Sequence, residues 1–125
     1  MIRSARAALA LVALLAAGSA GHARTLEYLY VEPNAGVGSG GHVALRIGDV
    51  VYHYQNPGDG TLRMAREHFD FFRYAYTVLQ NRTIHVNRIA GDEDLVQRLR
   101  SRFNTRFVVE RAHFRAWDEI GRAHV

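Results

Sequence analysis

Cysteine and lysine are both missing from the 125 residues; proline occurs twice and tryptophan once. Without cysteine there is no disulfide framework and no lipoprotein attachment site. Without lysine every basic residue is arginine. Beside so much alanine this reads as the composition of a GC-rich genome rather than as function. Charge of one sign is also scarce: residues 24–125 hold 14 Arg against 12 acidic residues, an excess of +2. No basic patch is interleaved with aromatics, so a nucleic-acid footprint is excluded. No long hydrophobic run occurs either. Residues 7–17 are apolar, which is too short to span a membrane.

That short run has a different meaning. Arg3 and Arg6 precede it, and Gly18-Ser19-Ala20-Gly21-His22-Ala23 follows it with small residues. A positive start, an apolar middle and a small-residue end describe a secretory signal peptide over residues 1–23. The protein is expected to be periplasmic or secreted, with no transmembrane span once the signal is removed. Residues 24–119 are then one domain. Residues 120–125, Ile-Gly-Arg-Ala-His-Val, can be encoded by ATC GGA AGA GCA CAC GTC, the start of a widely used sequencing adapter. They are expected to be a non-native tail, with the natural chain running on beyond Glu119.

The centre of the chain is Gly38-Ser39-Gly40-Gly41-His42-Val43-Ala44-Leu45-Arg46-Ile47-Gly48-Asp49-Val50-Val51-Tyr52-His53-Tyr54-Gln55. It reads as a glycine-rich loop and two alternating strands joined by a two-residue turn at Gly48-Asp49. That turn sets the register. Ile47 faces Val50, Leu45 faces Tyr52 and Val43 faces Tyr54 on an apolar face expected to meet the core. Arg46 with Val51, Ala44 with His53 and His42 with Gln55 form the other face. His42 is then opposite Gln55 and diagonal to His53, within reach of long side chains. A histidine with a polar neighbour that orients its ring is the base half of a nucleophile triad. The same pattern also suits a plain amphipathic hairpin. A metal pair, His42 with His53, lacks a third ligand at typical spacing, and neither metal nor cofactor is assigned.

The remaining segments frame this hairpin. Residues 26–31 alternate with apolar residues on both faces, as in a central strand. Residues 32–41 form a loop by composition. Ser39 is a poor nucleophile candidate, since Val37 stands where a G-x-S-x-G elbow needs glycine. Residues 65–73 are expected to be helical, with Phe69, Phe72 and Tyr76 on one stripe and Phe71 broadening it. Residues 74–79 are open between helix and strand. Residues 82–89 alternate as a strand with Ile84 and Val86 on one face and His85, a surface histidine, on the other. Asp92 is the expected N-cap of a helix that buries Leu95, Leu99 and Phe103. Residues 107–117 show no clear period and are expected to pack poorly.

The motifs Tyr28-Leu29, Gly41-His42-Val43-Ala44-Leu45-Arg46 and Val51-Tyr52-His53-Tyr54 resemble the Lnb-type N-terminal periplasmic domain family. That family is named for a bacterial lipoprotein N-acyltransferase. The His-strand pattern is similar to permuted papain-like proteins, the NlpC/P60 and lecithin:retinol acyltransferase group. The resemblance runs on weakly through Asn81-Arg82 and the following strand and helix. It implies an α+β fold: a small, mostly antiparallel sheet with packed helices, papain-like and C-terminally truncated. It implies an exported thiol acyltransferase or hydrolase acting on lipoprotein, lipid or cell-wall substrates. His42 is then the general base, and His53 or Gln55 orients it. Ser39, Gly40, Gly41 and Arg46 are expected at the substrate. The chain departs from the family in lacking its cysteine, so these residues alone are expected to be inactive. The alternative is a non-catalytic periplasmic domain that binds an envelope component or partner. A metal-dependent hydrolase built on His42 and His53 is a third class.

Overall fold

A computed structural model of the chain describes residues 25–34 and 40–123. The signal segment expected at 1–23, Ser39, and residues 124 and 125 of the expected tail lie outside the described residues. Among the described residues the strands are β1 (Leu26–Val31), β2 (His42–Ile47), β3 (Val50–Gln55), β4 (Arg63–His68) and β5 (Ile84–Arg88). They form one sheet of order β4-β3-β2-β1-β5 with every neighbouring pair antiparallel. Two α-helices complete the α+β fold: α1 (Phe69–Arg73), which runs into a π-helical turn over Tyr74–Leu79, and α2 (Glu93–Ala123).

The hairpin forms in the expected register, with Ala44 opposite His53, Leu45 opposite Tyr52 and Ile47 opposite Val50. Gly48 holds φ at +65° while Asp49 stays on the negative side. Glycine in the first central position meets that need without a Cβ clash. β1 is central, paired with β2 on one side and β5 on the other. Its two apolar faces serve two cores. Leu29, Val31, Ala44 and Val51 pack under Phe72 and Tyr76. Leu26, Ile47, Tyr52 and Met64 pack under Val96 of α2, with Leu95, Leu99, Phe103 and Phe107 against them.

Three expectations are corrected. Residues 65–73 are not one helix. β4 runs to His68, because Ala65 and Glu67 pair opposite His53 and Val51 and continue the sheet. Sheet pairing here overrides local helical preference. The helix starts only at Phe69, where the His68 Nδ1 accepts from the Asp70 amide at 3.2 Å. Second, the apolar face of the hairpin is not wholly core. α2 crosses it from Leu26 towards Met64 and Arg63, which leaves Val43 50% and Tyr54 38% exposed. The polar face is instead closed over by Phe72 and Tyr76. Third, Phe71 does not widen the buried stripe. It is exposed, because one residue before Phe72 means about 100° around the helix.

Asp92 caps α2, its Oδ1 accepting from the Leu95 amide at 2.8 Å. The 31-residue helix is about 46 Å long, far longer than six-residue strands of about 20 Å. Phe107 still packs on the sheet. Beyond it Val108, Val109, Trp117 and Ile120 are exposed. The helix continues without interruption through residues 120–123.

Candidate functional site

The sheet register places a staircase of polar side chains on the face under α1. His53 on β3 sits opposite Ala44, so His42 is two residues along β2 on the same face. His53 also sits opposite Ala65, so Glu67 is two residues along β4 on that face again. Each step is a diagonal contact between neighbouring strands, the distance that long side chains bridge. They do bridge it. His42 Nε2 lies 2.9 Å from His53 Nδ1, and His53 Nε2 lies 2.8 Å from Glu67 Oε1.

The chemistry of the three groups orders the protons. An ionised carboxylate only accepts, so His53 Nε2–H donates to Glu67. The Nδ1 lone pair of His53 then accepts from His42 Nε2–H. This assigns the tautomers from the network and leaves the Nδ1 lone pair of His42 as the open end.

Aromatic rings cover the relay. Tyr76 stacks on His42 with centroids 5.2 Å apart. Phe72 meets His53 edge-on at 5.1 Å and Tyr76 at 4.6 Å. His53 is 2% exposed. Burial drives its pKa down to about 4. His42 also falls to about 4, chiefly by burial, then by the charges of His53 and Arg82. Both imidazoles are therefore neutral at pH 7, so His53 and Glu67 form a hydrogen bond rather than an ion pair. Burial raises the pKa of Glu67. Every buried side-chain nitrogen and oxygen among the described residues has a partner.

The expected site residues divide. His42 and His53 come together as the diagonal placement implied. Gln55 is not a hydrogen-bond partner of His42, whose ring bonds His53 instead; it acts on the hydroxyl of Tyr76, the ring that stacks on His42, and favours its ionised form against the effect of burial. Gly40 and Gly41 lead directly into His42. A Cβ on Gly41 would sit 2.5 Å from the Tyr30 ring, so only glycine leaves that ring in place. Arg46 lies apart, about 13 Å along β2 from His42. It binds Glu27 at 3.0 Å and the Gly48 carbonyl at 2.8 Å, and stacks on Phe69 at 3.8 Å. His85 is exposed on the opposite face, 2.6 Å from Glu32.

Glu67 is the functional candidate that sequence reasoning missed. No local signal marked it: Arg63-Met64-Ala65-Arg66-Glu67-His68 does not alternate apolar with polar, and only the pairing of β4 with β3 sets Glu67 beside His53. Metal coordination has little purchase here, since the facing nitrogens of His42 and His53 bond each other. No group of three or more His, Asp or Glu side chains suited to a metal occurs among the described residues. Comparison with known proteins finds no matching family model, no matching curated protein and no matching solved structure.

Proposed function

We propose that this chain is the base-bearing part of an exported thiol acyltransferase or hydrolase of papain-like type, whose nucleophilic cysteine lies outside residues 1–125. The observation that carries it is the His42–His53–Glu67 relay, a base with two successive orienting partners under an aromatic cover. A linear chain of three groups that ends in one open lone pair suits proton transfer.

In this reading the relay serves both halves of the reaction. His42 Nδ1 takes the proton of the thiol, and the thiolate attacks the acyl carbonyl. His42, now cationic, is stabilised through His53 by the Glu67 carboxylate. It returns the proton to the leaving group as the thioester forms. An amine or water then attacks the thioester, with His42 again as base. A half-buried, neutral His42 accepts a proton more readily when the charge is compensated, and in this reading Glu67 supplies the compensation through His53. The substrates in this reading are lipoprotein, lipid or cell-wall acyl groups of the bacterial envelope.

A second reading is favoured by a separate observation. Tyr28, Val43 and Tyr54 form an uncovered apolar corner of the sheet beside Phe103, which suits a non-catalytic envelope-binding domain. The deciding experiment reads the source gene past codon 119, expresses the product and incubates it with an acyl-bearing lipopeptide. A cysteine-linked thioester seen by mass spectrometry and lost in His42→Ala is the expected result. An extended frame with no cysteine, or a thioester formed equally well without His42, overturns the enzyme reading. Residues 24–125 alone are expected to show no turnover.

A further inference from the structure

Arg82 touches several of the segments that surround His42. Its Nε donates to the Glu32 carbonyl at 2.6 Å, just after β1. Nη2 reaches the Gly40 carbonyl at 3.4 Å, just before β2. Nη1 donates to Gln80 Oε1 at 3.2 Å. The guanidinium also lies over the Tyr76 ring, 5.4 Å from its centroid. The main chain repeats the tie, since the Arg82 amide donates to the Tyr76 carbonyl at 2.9 Å. Asn81 makes this possible by adopting φ of +50°, a left-handed turn that asparagine tolerates better than most residues.

We infer that Arg82 is a positioning residue of the histidine site, a fork that holds the Tyr76 ring and the Gly40 backbone in one arrangement around His42. The inference rests on the reading of His42 as a base. The fork geometry is essential to it. Arg82 presents donors in one plane and a flat face to Tyr76, which lysine cannot do. Arg82 thereby fixes the ring that stacks on His42 and the solvent that His42 meets. Among the described residues, the titratable or charged groups facing His42 are His53 from β3, with Glu67 of β4 behind it, Tyr76 from the π-helical turn, and Arg82 itself.

The test needs no turnover, so its failure is separable from failure of the enzyme reading. His42 is titrated by NMR in the wild-type chain, Arg82→Gln and Arg82→Lys, with nuclear Overhauser contacts between Tyr76 and His42 followed in parallel. Loss of the fork lets Tyr76 move and water reach His42, which favours protonation. Both variants are expected to lose the Tyr76–His42 contacts and to raise the His42 midpoint by about one pH unit, tenfold in the protonation equilibrium. Arg82→Lys keeps the charge, so a wild-type midpoint and intact contacts there would show that charge alone matters and overturn the inference. Unchanged midpoints in both variants alongside a lower melting temperature would reduce Arg82 to a structural residue. Absence of Tyr76–His42 contacts in the wild type would also overturn it, whichever variants fold.

Discussion

His53 is withdrawn from solvent, yet both its ring nitrogens are hydrogen-bonded. Its environment has a cost that pH reveals. In the fold His42 and His53 titrate at about 4, against an ordinary value of 6.5. Between those values the unfolded chain binds more protons than the folded one, so stability falls as the pH drops from 6.5 towards 4. Glu67 works in the opposite sense. Its raised pKa makes the folded chain bind more protons, and returns part of the loss at the acid end. The half-buried His42 contributes less than His53, because solvent screens it. Urea denaturation at successive pH values should show a flat midpoint from pH 8 to 7 and a decline below 6.5. His53→Gln should make that decline shallower. A slope unchanged by the substitution would mean that His53 is not buried neutral.

α2 is held by unlike means along its length. Its first half has a cap at Asp92 and buried contacts at Val96, Leu99 and Phe103. Its second half depends on polar ties to β4. Arg63 reaches Asp118 at 3.0 and 3.1 Å and stacks on Phe114 at 4.4 Å. Glu110 accepts from the Met64 amide at 2.6 Å. Solvent-screened ion pairs contribute little to global stability, but they can decide local order. Arg63→Ala should therefore speed hydrogen exchange in residues 110–122 and leave residues 95–107 nearly unchanged. A uniform increase along the helix would show that α2 opens as one unit.

The described residues build a sheet with both faces covered, but unequally. Phe72 and Tyr76 close one face over the histidine relay, while α2 crosses the other on a diagonal and extends beyond it. The diagonal leaves Tyr28, Val43 and Tyr54 open, and the extension exposes Val109, Trp117 and Ile120. Exposed apolar surface of this kind promotes association. Sedimentation of residues 24–125 should show mass rising with concentration, and Val109→Glu with Ile120→Glu should shift it towards monomer. A monomer at all concentrations would mean that the arginines of α2 keep these surfaces apart. No helix among the described residues is long and apolar enough to cross a membrane.

Local signals in the sequence were sufficient where the interactions are local. Gly48-Asp49 specifies a two-residue turn, and the turn specifies the register that sets His42 diagonal to His53. Asp92 specifies the start of α2, and the spacing of Leu95, Leu99 and Phe103 specifies its buried face. The alternation in residues 84–88 likewise placed Ile84 and His85 on opposite faces. What covers each face is a contact between distant segments, and spacing carries no such information. Phe72 and Tyr76 bury a face whose residues read as polar, and α2 spares part of one that reads as core. Glu67 joined the histidines only because residues 63–68 pair with β3, where the edge hydrogen bonds outweigh a helical preference. The turn at Gln80-Asn81 is legible in the residue types, and Asn81 takes the left-handed conformation there; that the turn brings Arg82 over Tyr76 is not. The sequence by itself determined the hairpin and its two histidines. Tertiary packing decided that His53 is buried, His42 half-buried and both neutral, and which carboxylate completes them, because burial and long-range pairing exist only once the sheet is assembled.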